Sequence, residues 1–136
     1  MSARGGIDLG GTKIQSVVVN GRNSVIGQAR HPTPTSGGPP AVAAEMAATL
    51  AEAAEAAGVE ASSLASVGVG SPGVIDSAGG TVASARNLTD WIEPFPLAAE
   101  LSKSFGGAPV SLGNDVSVAT DAEFRLGAGK DRKSVV

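Results

Sequence analysis

The opening thirty residues alternate short apolar runs with glycine-rich or polar breaks. Gly6–Leu9, Lys13–Asn20 and Ser24–Arg30 read as three consecutive strands. Ile7 and Leu9 lead into Gly10-Gly11, and Ile14, Val17, Val18 and Val19 follow it, so the first two strands close as a hairpin. Asn20-Gly21-Arg22-Asn23 supplies the tight turn to the third, which predicts an antiparallel meander. The next stretch, Pro32-Thr33-Pro34-Thr35-Ser36-Gly37-Gly38-Pro39-Pro40, reads as a loop between elements, because the pieces flanking it are too small to fold alone. Its last prolines suit the start of a helix.

From Ala41 to Ala57 the period changes to that of a helix. Val42, Met46 and Leu50 recur every four residues, Glu45, Glu52 and Glu55 lie elsewhere on the wheel, and Gly58 stops the segment. The apolar stripe is narrow and belongs to a core. Leu64–Gly70 is a further apolar strand, and Gly79-Gly80 between Val74-Ile75-Asp76 and Thr81-Val82 predicts a small hairpin. A second helix is expected from Pro96 to Phe105, with Leu97 and Leu101 on one face, then a short buried strand at Pro109–Leu112. Gly113-Asn114-Asp115 leads into a third helix, Val116–Leu126, ending at Gly127. Strands separated by helices imply parallel crossovers. The expected class is therefore α/β, with a mixed sheet of three antiparallel strands followed by helix-connected parallel ones.

The 136 residues correspond to one domain, large enough to bury roughly two-thirds of the surface of the unfolded chain. A hydrophobic fraction of 42% with 17% charged residues excludes a disordered chain, and 19 glycines with 8 prolines point to many loops. The net charge of −3 offers no footprint for nucleic acid or an anionic membrane. Absence of cysteine excludes disulfides and thiolate metal sites, and the single histidine excludes multi-histidine zinc sites. His31, before Pro32, reads as a loop or edge residue. With neither a signal peptide nor a membrane-spanning run in view, the expectation is a cytoplasmic protein, and the glycosylation pattern Asn87-Leu88-Thr89 carries no weight.

Three clusters carry candidate chemistry. The first is Asp8-Leu9-Gly10-Gly11-Thr12-Lys13. It fits neither a P-loop nor a dinucleotide fingerprint, since both need a helix to follow. It fits a hairpin whose glycines take positive φ and bring backbone N–H groups close to phosphate oxygens. Thr12 adds a hydroxyl and Lys13 a charge, and Asp8 suits a magnesium ion, directly or through water. The alternative is an ordinary hairpin with polar turn residues. The second cluster, Gly68-Val69-Gly70-Ser71-Pro72-Gly73, matches G-x-G-x-x-G literally, but Pro72 and the non-helical Val74–Gly80 stretch exclude a dinucleotide site. Val69 also stands where a hydrolase elbow needs glycine. What remains is a glycine turn at the C-terminal edge of the sheet, where open α/β sheets bind ligands, or a tight turn with no ligand. The third is Asn114-Asp115, between a strand end and a helix start. There Asp115 can serve as a general base, or one of the pair can simply cap the helix. Asn87 and Trp91 complete the list: Trp91 as core anchor or sugar wall, Asn87 as ligand to a hydroxyl or stabiliser of its own turn.

In this order, together with Ala122-Glu123-Phe124-Arg125-Leu126-Gly127-Ala128-Gly129, these segments resemble the N-terminal half of the ROK family (repressor, open reading frame, kinase), which includes bacterial glucokinases, fructokinases and N-acetyl amino-sugar kinases. The resemblance covers essentially the whole chain. It implies the ribonuclease-H-like, actin-type ATPase fold, ATP and Mg²⁺, and a hexose or amino-sugar substrate. It also implies a homodimer at full length. By motif, Gly10, Gly11, Thr12 and Lys13 would meet ATP phosphates, and Asp8 would lie near the metal. Asp115 would be the base, with Asn114, Asn87, Gly73 and Val74 around the sugar hydroxyls. Ser117 stands where the family often has asparagine. Residues 1–127 are then expected to form one lobe and 128–136 to begin a second. The cysteine-containing zinc motif and the adenosine site would belong to that second lobe, and the 136 residues alone would be inactive. A sugar-sensing repressor of the same family would carry a helix-turn-helix before the first strand, where only a few residues precede Gly6. A non-catalytic actin-like lobe would have no use for a sugar base.

Overall fold

A computed structural model describes residues 3–85 and 88–114. Strands β1 (Arg4–Leu9), β2 (Lys13–Val19) and β3 (Val25–Pro32) form the expected meander, followed by α1 (Gly38–Ala57), β4 (Val67–Gly70), β5 (Val74–Asp76), β6 (Thr81–Ala83), α2 (Leu97–Ser104) and β7 (Val110–Gly113). The main sheet has the order β3-β2-β1-β4-β7, and β5 with β6 forms a separate two-stranded ribbon. β1 pairs antiparallel with β2 and parallel with β4, and β4 pairs parallel with β7. The sheet is mixed, as its helix-connected strands require.

The turn from β2 to β3 is built largely by its own residues. Asn20 Oδ1 accepts the N–H groups of Arg22 and Ser24 at 2.8 and 3.1 Å, Asn23 takes φ 63°, and Arg4 of β1 braces the turn by donating to Asn23 Oδ1. β3 runs two residues further than its hydrophobic pattern, through His31 to Pro32, because Lys13 and Ile14 of β2 continue to pair with it. β3 is the sheet edge, and His31 is an edge residue as expected. The fourth strand is shorter than the apolar run that predicts it. A 3₁₀ turn at Ala61–Ser63 precedes it, and Leu64 turns into the core before the ladder starts.

α1 begins three residues ahead of the expected start at Ala41, with prolines in its first positions, where the missing N–H has no helical partner to lose. Val42, Met46 and Leu50 are fully buried against Ile7, Leu9, Ile14 and Val18. The helix also lies unusually close to β3 at Gly27, where a Cβ would fall within contact distance of the Ala53 carbonyl and 2.7 Å from the Ala57 nitrogen. α2 packs beside α1 and against β7, burying Leu97 and Leu101. Among the described residues no helix is long and apolar enough to cross a membrane. The expected third helix lies outside the described residues.

Candidate functional site

Pairing register brings the separate motifs to one edge. Asp8 of β1 lies beside Gly70 of β4, and Gly70 beside Gly113 of β7, so three parallel strands end together. The Gly10–Lys13 hairpin, the Ser71–Gly73 turn and Asn114 all leave the sheet at that edge. Open α/β sheets bind ligands at the carboxyl ends of their strands for this topological reason.

The second and third clusters are joined directly. Ser71 N–H donates to the Gly113 carbonyl at 2.9 Å, and Asn114 Nδ2 donates to the Ser71 carbonyl at 3.1 Å. Ser71 is buried, and its hydroxyl donates to the Pro72 carbonyl at 2.9 Å. Gly73 takes φ +98° and packs on the Ala83–Ala85 stretch. Val74, beside it, is 64% exposed.

In the hairpin, Gly10 N–H donates to the Lys13 carbonyl at 3.0 Å. Neither Gly10 nor Gly11 has a positive φ, contrary to the expectation from the Gly-Gly pair. What marks Gly10 instead is closeness: a Cβ there would sit 3.0 Å from the Lys13 carbonyl oxygen, a tight contact. Gly11 is partly exposed, and Thr12 and Lys13 are exposed. The hairpin is held from behind by Thr33, which is 5% exposed: its hydroxyl donates to the Gly10 carbonyl at 2.8 Å, and its N–H donates to the Thr12 carbonyl at 3.0 Å. Thr33 carries no signal in the sequence, where it is one of several small polar residues in a proline-rich stretch.

Trp91 is a core residue. It is 1% exposed, its Nε1–H donates to the Val82 carbonyl at 2.8 Å, and its ring meets Phe95 edge-on at 5.6 Å. Beside it, Ser84, Ala85, Leu88, Asp90, Trp91 and Ile92 line a recess of about 380 Å³. Ser84 and Asp90, at φ 54° and 50°, hold backbone conformations uncommon for residues with side chains. Ala85, which touches the Gly73 position, lies on the wall of this recess, so the recess and the glycine turn are neighbours. Ser84 gives no sequence signal for a left-handed backbone, whereas Asp90 is a residue type enriched there. Asn87 and Asp115 lie outside the described residues.

On the far side of the hairpin, His31 ties β3 to α1. Its Nδ1–H donates to Glu45 at 2.6 Å and its Nε2–H to Glu52 at 2.5 Å. The bond to Glu52 and then that to Glu45 raise its pKa above the ordinary 6.5, because both ring nitrogens can donate only in the imidazolium form. Among the described residues no group of three or more His, Cys, Asp or Glu could hold a metal ion by itself. A single carboxylate, Asp8, beside a loop with unpaired N–H groups fits Mg²⁺, which keeps several waters and takes one or two carboxylates together with phosphates.

A mixed sheet in the order 3-2-1-4-7, with its motifs gathered at one edge, is the actin-type ATPase arrangement. The ROK family model matches residues 4–136, and the chain belongs to that family. It is 33% identical over 131 residues to a glucokinase of Streptomyces coelicolor, spanning 96% of this chain and 38% of that protein. The ROK hexokinase of Thermus thermophilus superposes with a TM-score of 0.70 at 32% identity, covering 82% of this chain and 34% of that one. A ROK family glucokinase from Streptomyces griseus, solved in complex with glucose and AMPPNP, gives 0.69 at 30% identity, covering 84% of this chain and 33% of that one. The chain thus spans well under half the length of these relatives.

Proposed function

We propose that residues 1–127 are the N-terminal lobe of an ATP-dependent sugar kinase, with residues 128–136 leading into a second lobe. The observation that carries this reading is the register that aligns Asp8, Gly70 and Gly113 at one sheet edge. A phosphate loop, a glycine turn and Asn114 thereby face a common space. The similarity to glucokinases supports a hexose or amino-sugar as acceptor.

In this reading the backbone N–H groups of Gly11, Thr12 and Lys13, with the Lys13 ammonium, hold the ATP phosphates, and Gly10, whose own N–H is taken by the Lys13 carbonyl, forms the base of the loop. Asp8 would hold Mg²⁺, directly or through water. When bound, the ion neutralises charge on the transferring phosphoryl group. Gly73, Val74, Asn87 and Asn114 hold sugar hydroxyls. Asn114 Nδ2 is engaged by the Ser71 carbonyl, which leaves its Oδ1 to accept from a hydroxyl. The sugar oxygen forms a bond to the γ-phosphorus as the bond to the β,γ-bridging oxygen breaks and ADP leaves. Asp115 takes the hydroxyl proton late, as a loose phosphoryl-transfer transition state allows.

The test is a sugar panel on the full-length protein with Asp115→Asn beside it. Turnover is expected on at least one hexose and should fall about 10²–10⁴-fold in the variant. Wild-type turnover in Asp115→Asn would remove the base, and sugar-dependent ADP release from the 136 residues alone would refute the two-lobe division.

A further inference from the structure

The two hydrogen bonds made by Thr33 do more than hold a turn in place. The described hairpin has no cis peptide, so each N–H points opposite to the carbonyl that precedes it. With the Gly10 carbonyl on the Thr33 hydroxyl, the Gly11 N–H is turned to the other side. With the Thr12 carbonyl on the Thr33 N–H, the Lys13 N–H is turned away from β3. In a tight antiparallel hairpin the Lys13 N–H would bond back to the Gly10 carbonyl. Here that carbonyl is held by Thr33. Among the described residues the N–H groups of Gly11, Thr12 and Lys13 have no hydrogen-bond partner.

Resting on the phosphate-binding reading above, we infer that Thr33 is a positioning residue that presets the Gly11 and Lys13 amides as a donor pair for a phosphate oxyanion of the nucleotide. Donors fixed before the ligand arrives need no reorganisation when it binds, which is where their strength lies. The support behind them is firm. Thr33 is buried, and two residues earlier the strand is tied to α1 through His31, Glu45 and Glu52. Loss of the hydroxyl would free the Gly10 carbonyl to capture the Lys13 N–H, closing an ordinary hairpin and withdrawing one donor.

The experiment compares wild type, Thr33→Val, Thr33→Ala and Thr33→Ser in the full-length protein, measuring AMPPNP affinity by calorimetry and the KM for ATP and for sugar. Thr33→Val, which keeps shape and N–H, should weaken AMPPNP binding about tenfold, the effect of one charge-assisted hydrogen bond, with sugar affinity unchanged. Thr33→Ser should restore nucleotide affinity. If Thr33→Val does not fold, Thr33→Ala against Thr33→Ser makes the same comparison. Nucleotide affinity within twofold of wild type in the variants lacking the hydroxyl would overturn the inference, as would a Thr33→Ser protein as weak as they are. A wild-type protein that binds no nucleotide would overturn the phosphate-site reading itself and this inference with it.

Discussion

Gly73→Ala tests whether the glycine turn is built for contact or only for curvature. The φ of +98° makes any side chain unfavourable there, at about 1–3 kcal/mol. The added methyl would also stand 2.6 Å from the Ala83 carbonyl oxygen, 3.2 Å from Ala85 Cα and 3.3 Å from Ala85 Cβ. These are mostly backbone atoms, so no side-chain rotation relieves the contact, and overpacking adds about 1–3 kcal/mol. Gly107→Ala separates the two effects, since Gly107 has φ +84° with nothing within 4 Å of the Cβ position. Denaturant unfolding of the full-length protein should place Gly73→Ala below Gly107→Ala by about 1–3 kcal/mol. The methyl would push Ala83–Ala85 outward, and with them the wall of the recess beside Trp91. The KM for sugar is therefore expected to rise roughly tenfold in Gly73→Ala, for each 1.4 kcal/mol of lost binding, while the KM for ATP stays near wild type. Equal destabilisation of the two variants, or an unchanged sugar KM in Gly73→Ala, would refute the argument.

Protonated His31 joins β3 to α1, and its folded-state pKa lies above the ordinary value, so its stabilising contribution is full below pH 6.5 and is lost as pH rises through the folded pKa. Glu45 and Glu52 are 36% and 56% exposed, which keeps the effect to about 0–1 kcal/mol; His31→Gln should flatten that part of the stability–pH curve, and an unchanged slope would disprove it. Gly27→Ala should cost about 1–3 kcal/mol by forcing α1 off β3, read from the denaturation midpoint, with substrate preference retained. Asp115→Asn should abolish most sugar-dependent turnover, and Thr33→Val should weaken nucleotide binding with rescue by serine, each read as described above.

Local chemistry made much of the architecture readable. The meander follows from alternating apolar positions and from Asn20, whose side chain builds its own turn. The stripe Val42-Met46-Leu50 identifies α1 and its buried face. The readings that needed revision concern positions where a neighbour decides. Gly10 and Gly11 suggested a left-handed turn, yet neither has a positive φ, and position 10 is marked instead by its close approach to the Lys13 carbonyl. Leu64 looked like a strand residue, but the core takes its side chain before the ladder begins. Thr33 and Ser84 were not identified, because their roles arise from partners or backbone angles that their residue types do not encode.

By itself the sequence determined most of the described elements, their order and the motifs of the ROK family, because hydrophobic period, turn residues and short motifs are properties of neighbouring positions. Tertiary structure decided what those motifs do together. Strand register set Asp8, Gly70 and Gly113 in one row. Hydrogen bonds spanning 23 positions from Thr33 to Gly10, and 43 from Asn114 to Ser71, braced the loops on that edge. Such pairings depend on how the sheet closes, which no local pattern specifies.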